Sequence, residues 1–301
     1  MLRLLHTTPE LQLYHGNALE LIDQLPDNLI QTCITSPTYW GKRQFTDDPA
    51  EFGTESLEEY VDRNVTLYTK ILQKLKPTGS LFVIMQDSYM GSGISRTQDT
   101  HWDTMKSTWR RDGFDAEKQG NTTHNTVRHD TIQYKSLCGL PFRIANALVD
   151  RKFLWRQTLF WEKDNPQPDG SEDKCMTSVE YILHFTKSPK YTYYKKWFSE
   201  YCKTEPTKTR LRHQVWRCKV IPKANHTATF PNQIVKPLLL GTSDPHDTIF
   251  EPFLGSGTMM ELALRHNRKC IACDINQEFV MNMIQQEKSN LTHWFKKKNQ
   301  Q

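Results

Sequence analysis

Two short stretches carry the residues best suited to chemistry. The first runs Phe250-Glu-Pro-Phe-Leu-Gly-Ser-Gly-Thr258, joining a stretch that reads as a strand to one that reads as a helix. Gly255 and Gly257 let the backbone approach a ligand closely, and a helix start offers unpaired N–H groups. Nineteen residues after Gly255, Asp274 ends the next apolar strand, where a carboxylate can accept hydrogen bonds from ribose hydroxyls. A phosphate-binding loop would place lysine after its last glycine, but Gly257 is followed by Thr258 and Met259. A dinucleotide fingerprint would place a third glycine near Met260. A loop led by Phe253 and lacking lysine suits a cofactor without phosphates, and S-adenosylmethionine is one. The competing reading is an ordinary tight strand-to-helix turn.

The second stretch is Thr35-Ser-Pro-Thr-Tyr-Trp40, which follows another apolar strand. It offers a hydroxyl, a carbonyl stiffened by proline and two aromatic rings. That set suits a base flipped out of a duplex, with rings stacking on it and oxygens meeting its edge. An exocyclic amine is a poor nucleophile because its lone pair is delocalised into the ring. Acceptors on its two hydrogens favour pyramidalisation and free the lone pair for in-line attack on a methyl sulfonium. Ser36 and the Pro37 carbonyl are candidates for those acceptors. Methylation at cytosine C5 would require an activated cysteine, and the chain has no Pro-Cys dipeptide. A strand-ending Ser-Pro turn with no chemical role is the alternative.

The elements that would position these stretches alternate in type. Residues 11–14 read as a strand, 18–24 as an amphipathic helix and 31–35 as a strand ending at Ser36-Pro37. Residues 57–74 form a long helix pattern, with Leu57, Tyr60, Val61, Val65, Tyr68, Ile71 and Leu72 mostly three and four apart. A turn at 77–79 and a buried strand at 80–85 complete a strand–helix–strand crossover, the unit of a parallel sheet. Residues 88–133 lack periodicity and read as a long functional loop. A helix at 141–151 and strands at 155–161 and 179–185 follow. Further on come a helix at 232–240, a strand at 248–250, a helix at 257–266, a strand at 270–273 and a helix at 278–288.

The chain of 301 residues has the size of one large α/β domain with an insertion or of two small domains, and its formal charge of +5 permits an anionic partner without requiring one. Neither a signal peptide nor an apolar run of about eighteen residues is present, so a cytoplasmic protein without a membrane span is expected. The seven cysteines are irregularly spaced. Cys270 and Cys273 lie in the apolar run KCIACDI without a matching second pair, so buried thiols are expected and a metal site is not.

Taken together, these residues resemble the amino-methyltransferases of bacterial restriction–modification systems. The match is to the permuted, beta-type order, with the catalytic motif first and the cofactor loop last. Ser36-Pro37-Thr38-Tyr39 looks like the Ser-Pro-Pro-Tyr of the cytosine-N4 group. Residues 250–258 look like that family's Asp-Pro-Phe-x-Gly-Ser-Gly-Thr loop. LCGLPFRIANALVDRKFLWRQTLFWEKDNPQPDG and DKCMTSVEYILHFTKSPKYTY are similar to its long central block. VWRCKVIPKANHTATFP resembles its last segment before the cofactor loop.

The resemblance implies a Rossmann-like α/β fold of the S-adenosylmethionine-dependent methyltransferases, circularly permuted, with an inserted target-recognition region. Residues 1–186 would be the catalytic part, 187–225 the target-recognition region and 226–301 the cofactor-binding part of the same domain. Ser36, Pro37, Thr38 and Tyr39 would hold the target amine and base. The cofactor would meet Asn17, Phe230, Pro231, Glu251, Pro252, Phe253, Gly255, Ser256, Gly257, Thr258 and Asp274. The implied substrate is double-stranded DNA, and the implied role is protection against a cognate restriction endonuclease that acts on the same site without stable binding to this chain.

The sequence departs from the family pattern at three positions. Thr38 replaces the second proline, Glu251 replaces an aspartate, and Asn17 replaces an aspartate that meets the adenine amine of the cofactor. These departures motivate a rival reading, a weakened or non-catalytic DNA-binding relative. An adenine-N6 enzyme and an RNA or small-molecule methyltransferase on the same fold are further rivals. For DNA, the basic and aromatic segment 187–223 is the main candidate, with Lys195, Lys196, Lys203, Lys208, Arg210 and Arg212 facing phosphates. The loop around Arg110, Arg111, Lys118 and Arg128 is a second.

Overall fold

The computed structural model describes residues 1–42, 44–91, 129–166, 168, 171–195, 198, 213–219 and 231–298. The strands are β1 (Arg3–Thr7), β2 (Leu11–His15), β3 (Ile30–Thr35), β4 (Leu75–Met85), β5 (Leu154–Lys163), β6 (Val179–Thr186), β7 (Val215–Cys218), β8 (Thr248–Glu251) and β9 (Lys269–Asp274). They form one nine-stranded sheet in the order β1-β2-β9-β8-β3-β4-β6-β5-β7. The central run β2, β9, β8, β3 and β4 is parallel throughout. β6 pairs antiparallel with both β4 and β5, and β7 returns parallel to β5.

The helices are α1 (Ala18–Gln24), α2 (Leu57–Lys74), α3 (Leu140–Asp150), α4 (Asn232–Thr242), α5 (Thr258–Arg265) and α6 (Gln277–Lys298). One buried cluster gathers α1, α2 and α3 on one face of the sheet. A second gathers α4, α5 and α6 on the other. The result is a three-layer α/β arrangement covered on both faces, as a largely parallel sheet requires. Among the described residues no helix is long and apolar enough to cross a membrane.

Local signals explain several boundaries. Asn17 caps α1 by accepting from the Leu19 amide at 2.9 Å. Ser56 and Glu59 form a reciprocal capping box at the start of α2, with Glu58 and Glu59 in the first turn and Lys74 in the last. The turn expected at 77–79 is instead an excursion inside β4. Ile30 pairs with Leu75 and Thr32 with Ser80, so four residues of β4 stand opposite one of β3, and the strand continues on both sides. Two strands escaped the sequence reading, β1 and β7, and both lie at edges of the sheet.

Candidate active site

The two stretches with chemical promise meet at the carboxyl ends of the parallel strands, where open α/β sheets bind ligands. β3 ends at Thr35 and leads into the Ser36–Tyr39 turn. β8 ends at Glu251 and leads into the glycine loop, and β3 and β8 are hydrogen-bonded neighbours. Asp274 ends β9, beside β8, and Asn17 follows β2, whose His15 is the register partner of Asp274.

The glycine loop is built tightly. Gly255 and Gly257 both adopt positive φ, +48° and +66°, a region that other residues enter only with strain. A Cβ on Gly257 would lie 2.2 Å from Met283 Sδ, so α6 packs directly on the loop. Asp274 holds the loop from below. One carboxylate oxygen accepts from the Gly255 amide at 2.8 Å and the other from the Asn276 amide at 2.9 Å. Each oxygen keeps a second lone pair for a ligand hydroxyl. Burial is the main cause that pushes the Asp274 carboxyl up to about 6, and the nearby Glu51 charge adds to it.

Glu251, expected to face a cofactor, also has a structural contact. It is buried, and Oε2 accepts from the Met260 amide at 3.1 Å, so it caps the N-terminus of α5, where Gly257 has no side chain to do so. A carboxyl group therefore already occupies the helix end that a phosphate would need. With Asp274 and Glu51 nearby, the donor set suits a ligand that carries positive charge and hydroxyls but no phosphate, which fits S-adenosylmethionine. Asn17 also has a structural task, because its side-chain oxygen caps α1. Pro252 and Pro231 are buried, Phe253 is half-buried, and Ser256 and Thr258 hydroxyls pair at 3.1 Å. Phe230 lies outside the described residues.

The Ser36–Tyr39 turn is pinned from three sides. The Tyr60 hydroxyl of α2 donates to the Thr38 carbonyl at 3.0 Å. Pro37 is buried. The Tyr39 hydroxyl donates to Glu180 Oε2 at 2.6 Å, and Glu180 Oε1 lies 2.6 Å from Lys163 Nζ. Burial and the Glu180 charge push the Tyr39 hydroxyl well above the usual phenol range, while a contact from the Ser36 hydroxyl pulls it back. Thr38 thus does not leave the turn loose, because tertiary bonds replace the stiffness of a second proline.

A third component escaped the sequence reading. The segment between the turn and α2 folds back toward the glycine loop. Phe52 meets Phe253 edge to face at 5.2 Å, and Phe45 meets Phe279 of α6 at 5.5 Å. Glu51, buried within this segment, accepts from the Phe45 and Thr46 amides, both at 2.6 Å. Arg63 of α2 clamps it by donating to the Ala50 and Glu51 carbonyls and to Glu55, and by stacking over Phe52. The readable signal was four acidic residues, Asp47, Asp48, Glu51 and Glu55, inside an otherwise turn-like stretch.

The basic segment divides into two kinds of residue. Among its described aromatics, Phe198 and Trp216 are buried, with Tyr193 stacked on Phe198 at 4.7 Å and Phe198 packed against Gly241 of α4. Tyr194 is exposed, its hydroxyl donating to Asp244 at 2.7 Å, and Trp197 and Tyr201 lie outside the described residues. Lys187 donates to Asn28 and to the Gln73 and Leu75 carbonyls, so it ties the segment to the body. Lys195 is exposed. Lys196, Lys203, Lys208, Arg210 and Arg212 lie outside the described residues, as do Arg110, Arg111, Lys118 and Arg128. Cys270 and Cys273 are buried, and no group of three or more His, Cys, Asp or Glu side chains gathers for a metal among the described residues.

Comparison with known proteins gives consistent results. The family model N6_N4_Mtase, described as a DNA methylase, matches residues 30–286. The type II methyltransferase M.Cfr9I of Citrobacter freundii is 30% identical over 288 residues, covering 93% of this chain and 89% of the relative. The solved structure of PvuII DNA methyltransferase (cytosine-N4-specific) superposes with a TM-score of 0.64 at 19% identity, over 91% of this chain and 85% of that one. A DNA modification methylase of Thermus thermophilus, solved with S-adenosyl-L-methionine, superposes with a TM-score of 0.57 at 19% identity, over 91% and 90%. At that level of identity the two structures speak for the shared fold.

Proposed function

The chain belongs to the N6/N4 DNA methylase family, and from that membership we propose that it transfers a methyl group from S-adenosylmethionine to the exocyclic N4 amine of cytosine within a short DNA sequence. The observation that carries the choice of base is Ser36 at the head of the catalytic turn. A carboxylate or amide there would reach further and suit the more distant amine of a purine. A serine hydroxyl leaves a shorter, uncharged pocket that suits the N4 amine beside the N3 acceptor of cytosine.

When bound, S-adenosylmethionine supplies an electrophilic methyl group on a sulfonium. Asp274 would receive the ribose hydroxyls, and the Phe253 and Phe52 rings would wall the site and exclude water. Ser36 Oγ and the Pro37 carbonyl would accept the two amine hydrogens and so release the nitrogen lone pair. The Tyr39 ring would lie along the flipped base. The transfer needs no covalent enzyme intermediate. The same Ser36 turn, pinned by Tyr60 and Glu180, speaks for an active enzyme over a degenerate DNA-binding relative.

Residues 187–225 are proposed as the target-recognition region, with Lys195, Lys196, Lys203, Lys208, Arg210 and Arg212 supplying phosphate contacts. In this reading the protein protects DNA within a restriction–modification system, beside an endonuclease that cuts the same site. Sequencing with modified-base detection of DNA from cells that express the chain should place the mark on one short recurring sequence. Unmodified DNA despite folded, S-adenosylmethionine-binding protein would contradict the enzymatic reading.

A further inference from the structure

We propose that Glu180 and Lys163 are positioning residues for Tyr39, fixing the ring in the plane that receives the target base; the proposal rests on the reading of Ser36–Tyr39 as the base-holding turn. Glu180 is the second residue of β6 and Lys163 ends β5, far in sequence from Tyr39. Their side chains are only 7% and 16% exposed, and their charged atoms lie 2.6 Å apart. Nζ of Lys163 also lies 5.3 Å from the centre of the Trp161 ring. Removing two charges from water is costly, and an apolar pair of the same volume usually serves stability as well or better. Stability alone therefore gives no reason for this pair at the mouth of the catalytic turn.

The geometry supplies one. Glu180 presents Oε1 to Lys163 Nζ and Oε2 to the Tyr39 hydroxyl, which donates to it. One end of the phenol is thereby fixed at 2.6 Å, and the ring can neither swing nor flip its hydrogen bond. The pair thus acts on the base through Tyr39 and does not touch substrate.

A double-mutant cycle on the full chain tests this. Tyr39→Phe should slow single-turnover methylation on the order of tenfold, the scale of one charge-assisted hydrogen bond, with S-adenosylmethionine affinity by calorimetry unchanged. Glu180→Gln, which keeps an acceptor, should retain most of the rate. Glu180→Leu alone would strand a buried lysine, so Glu180→Leu is combined with Lys163→Met. This charge-free pair should match the loss of Tyr39→Phe, and adding Tyr39→Phe to it should cause no further loss. Multiplying losses, or a Tyr39→Phe variant at full rate beside an inactive Tyr39→Ala variant, would overturn the proposal. A Tyr39→Ala variant at full rate would overturn the base-holding reading itself, and the proposal with it.

Discussion

Replacing Ser36 with alanine is expected to lower turnover by roughly 10²–10³-fold, the scale of removing one directed group that meets charge in a transition state. Cofactor and DNA affinity should stay within about twofold, because the interaction strengthens only as the amine pyramidalises. The structure supports this division. Ser36 sits at the carboxyl end of β3, half-buried and away from the Asp274 end of the site, and the turn that holds it is pinned by Tyr60, Glu180 and buried Pro37. The backbone should therefore survive loss of one hydroxyl. Rapid-quench single-turnover rates beside equilibrium affinities separate the two effects. Equal losses in rate and binding would make Ser36 a structural residue.

Asp274 governs the second large effect. Asp274→Ala should weaken S-adenosylmethionine binding by about 1.5–3 kcal/mol, the scale of charge-assisted hydrogen bonds lost. The alanine variant also releases the Gly255 and Asn276 amides; Asp274→Asn removes the charge while its one acceptor oxygen keeps one of those two amide bonds. A pH signature accompanies it. In the free protein the carboxyl is raised to about 6, so the fold favours the protonated form. The stability it contributes is full below the unfolded value and is lost as pH rises through about 6. Ribose hydroxyls that donate to the carboxylate favour the ionised form instead. Cofactor affinity should therefore be full above about 6 and fall as pH drops through that value, with a flatter profile in Asp274→Asn. Calorimetry showing unchanged affinity in a folded Asp274→Ala variant would count decisively against the assignment.

Periodicity made much of this fold legible. α1 and α2 have the bounds expected from their patterns, because Asn17, Ser56 and Glu59 mark their starts and an apolar stripe runs along each. The edge strands were hidden for physical reasons. In β1 every side chain is exposed or only half-buried, and β7 alternates exposed and buried over only four residues between charged neighbours. The glycine loop and the Ser36 turn could be read because each packs its chemistry into a short run of sequence. Glu180 and Lys163 could not, because their significance lies in contacts to a turn far away in sequence that no spacing encodes. The three departures from the family pattern acquired structural explanations. The longer Glu251 reaches the Met260 amide, Asn17 caps α1, and Thr38 is held through its carbonyl.

The central claim concerns one atom, and mass spectrometry of nucleosides tests it most directly. DNA methylated by the purified protein with S-adenosylmethionine, then digested to nucleosides, should contain N4-methylcytosine and no N6-methyladenine above an untreated control. The Ser36→Ala variant should leave the N4-methylcytosine signal near background over the same reaction time. N6-methyladenine without N4-methylcytosine would contradict the cytosine assignment and the pocket argument built on Ser36, while leaving the chain an amino-methyltransferase of its family.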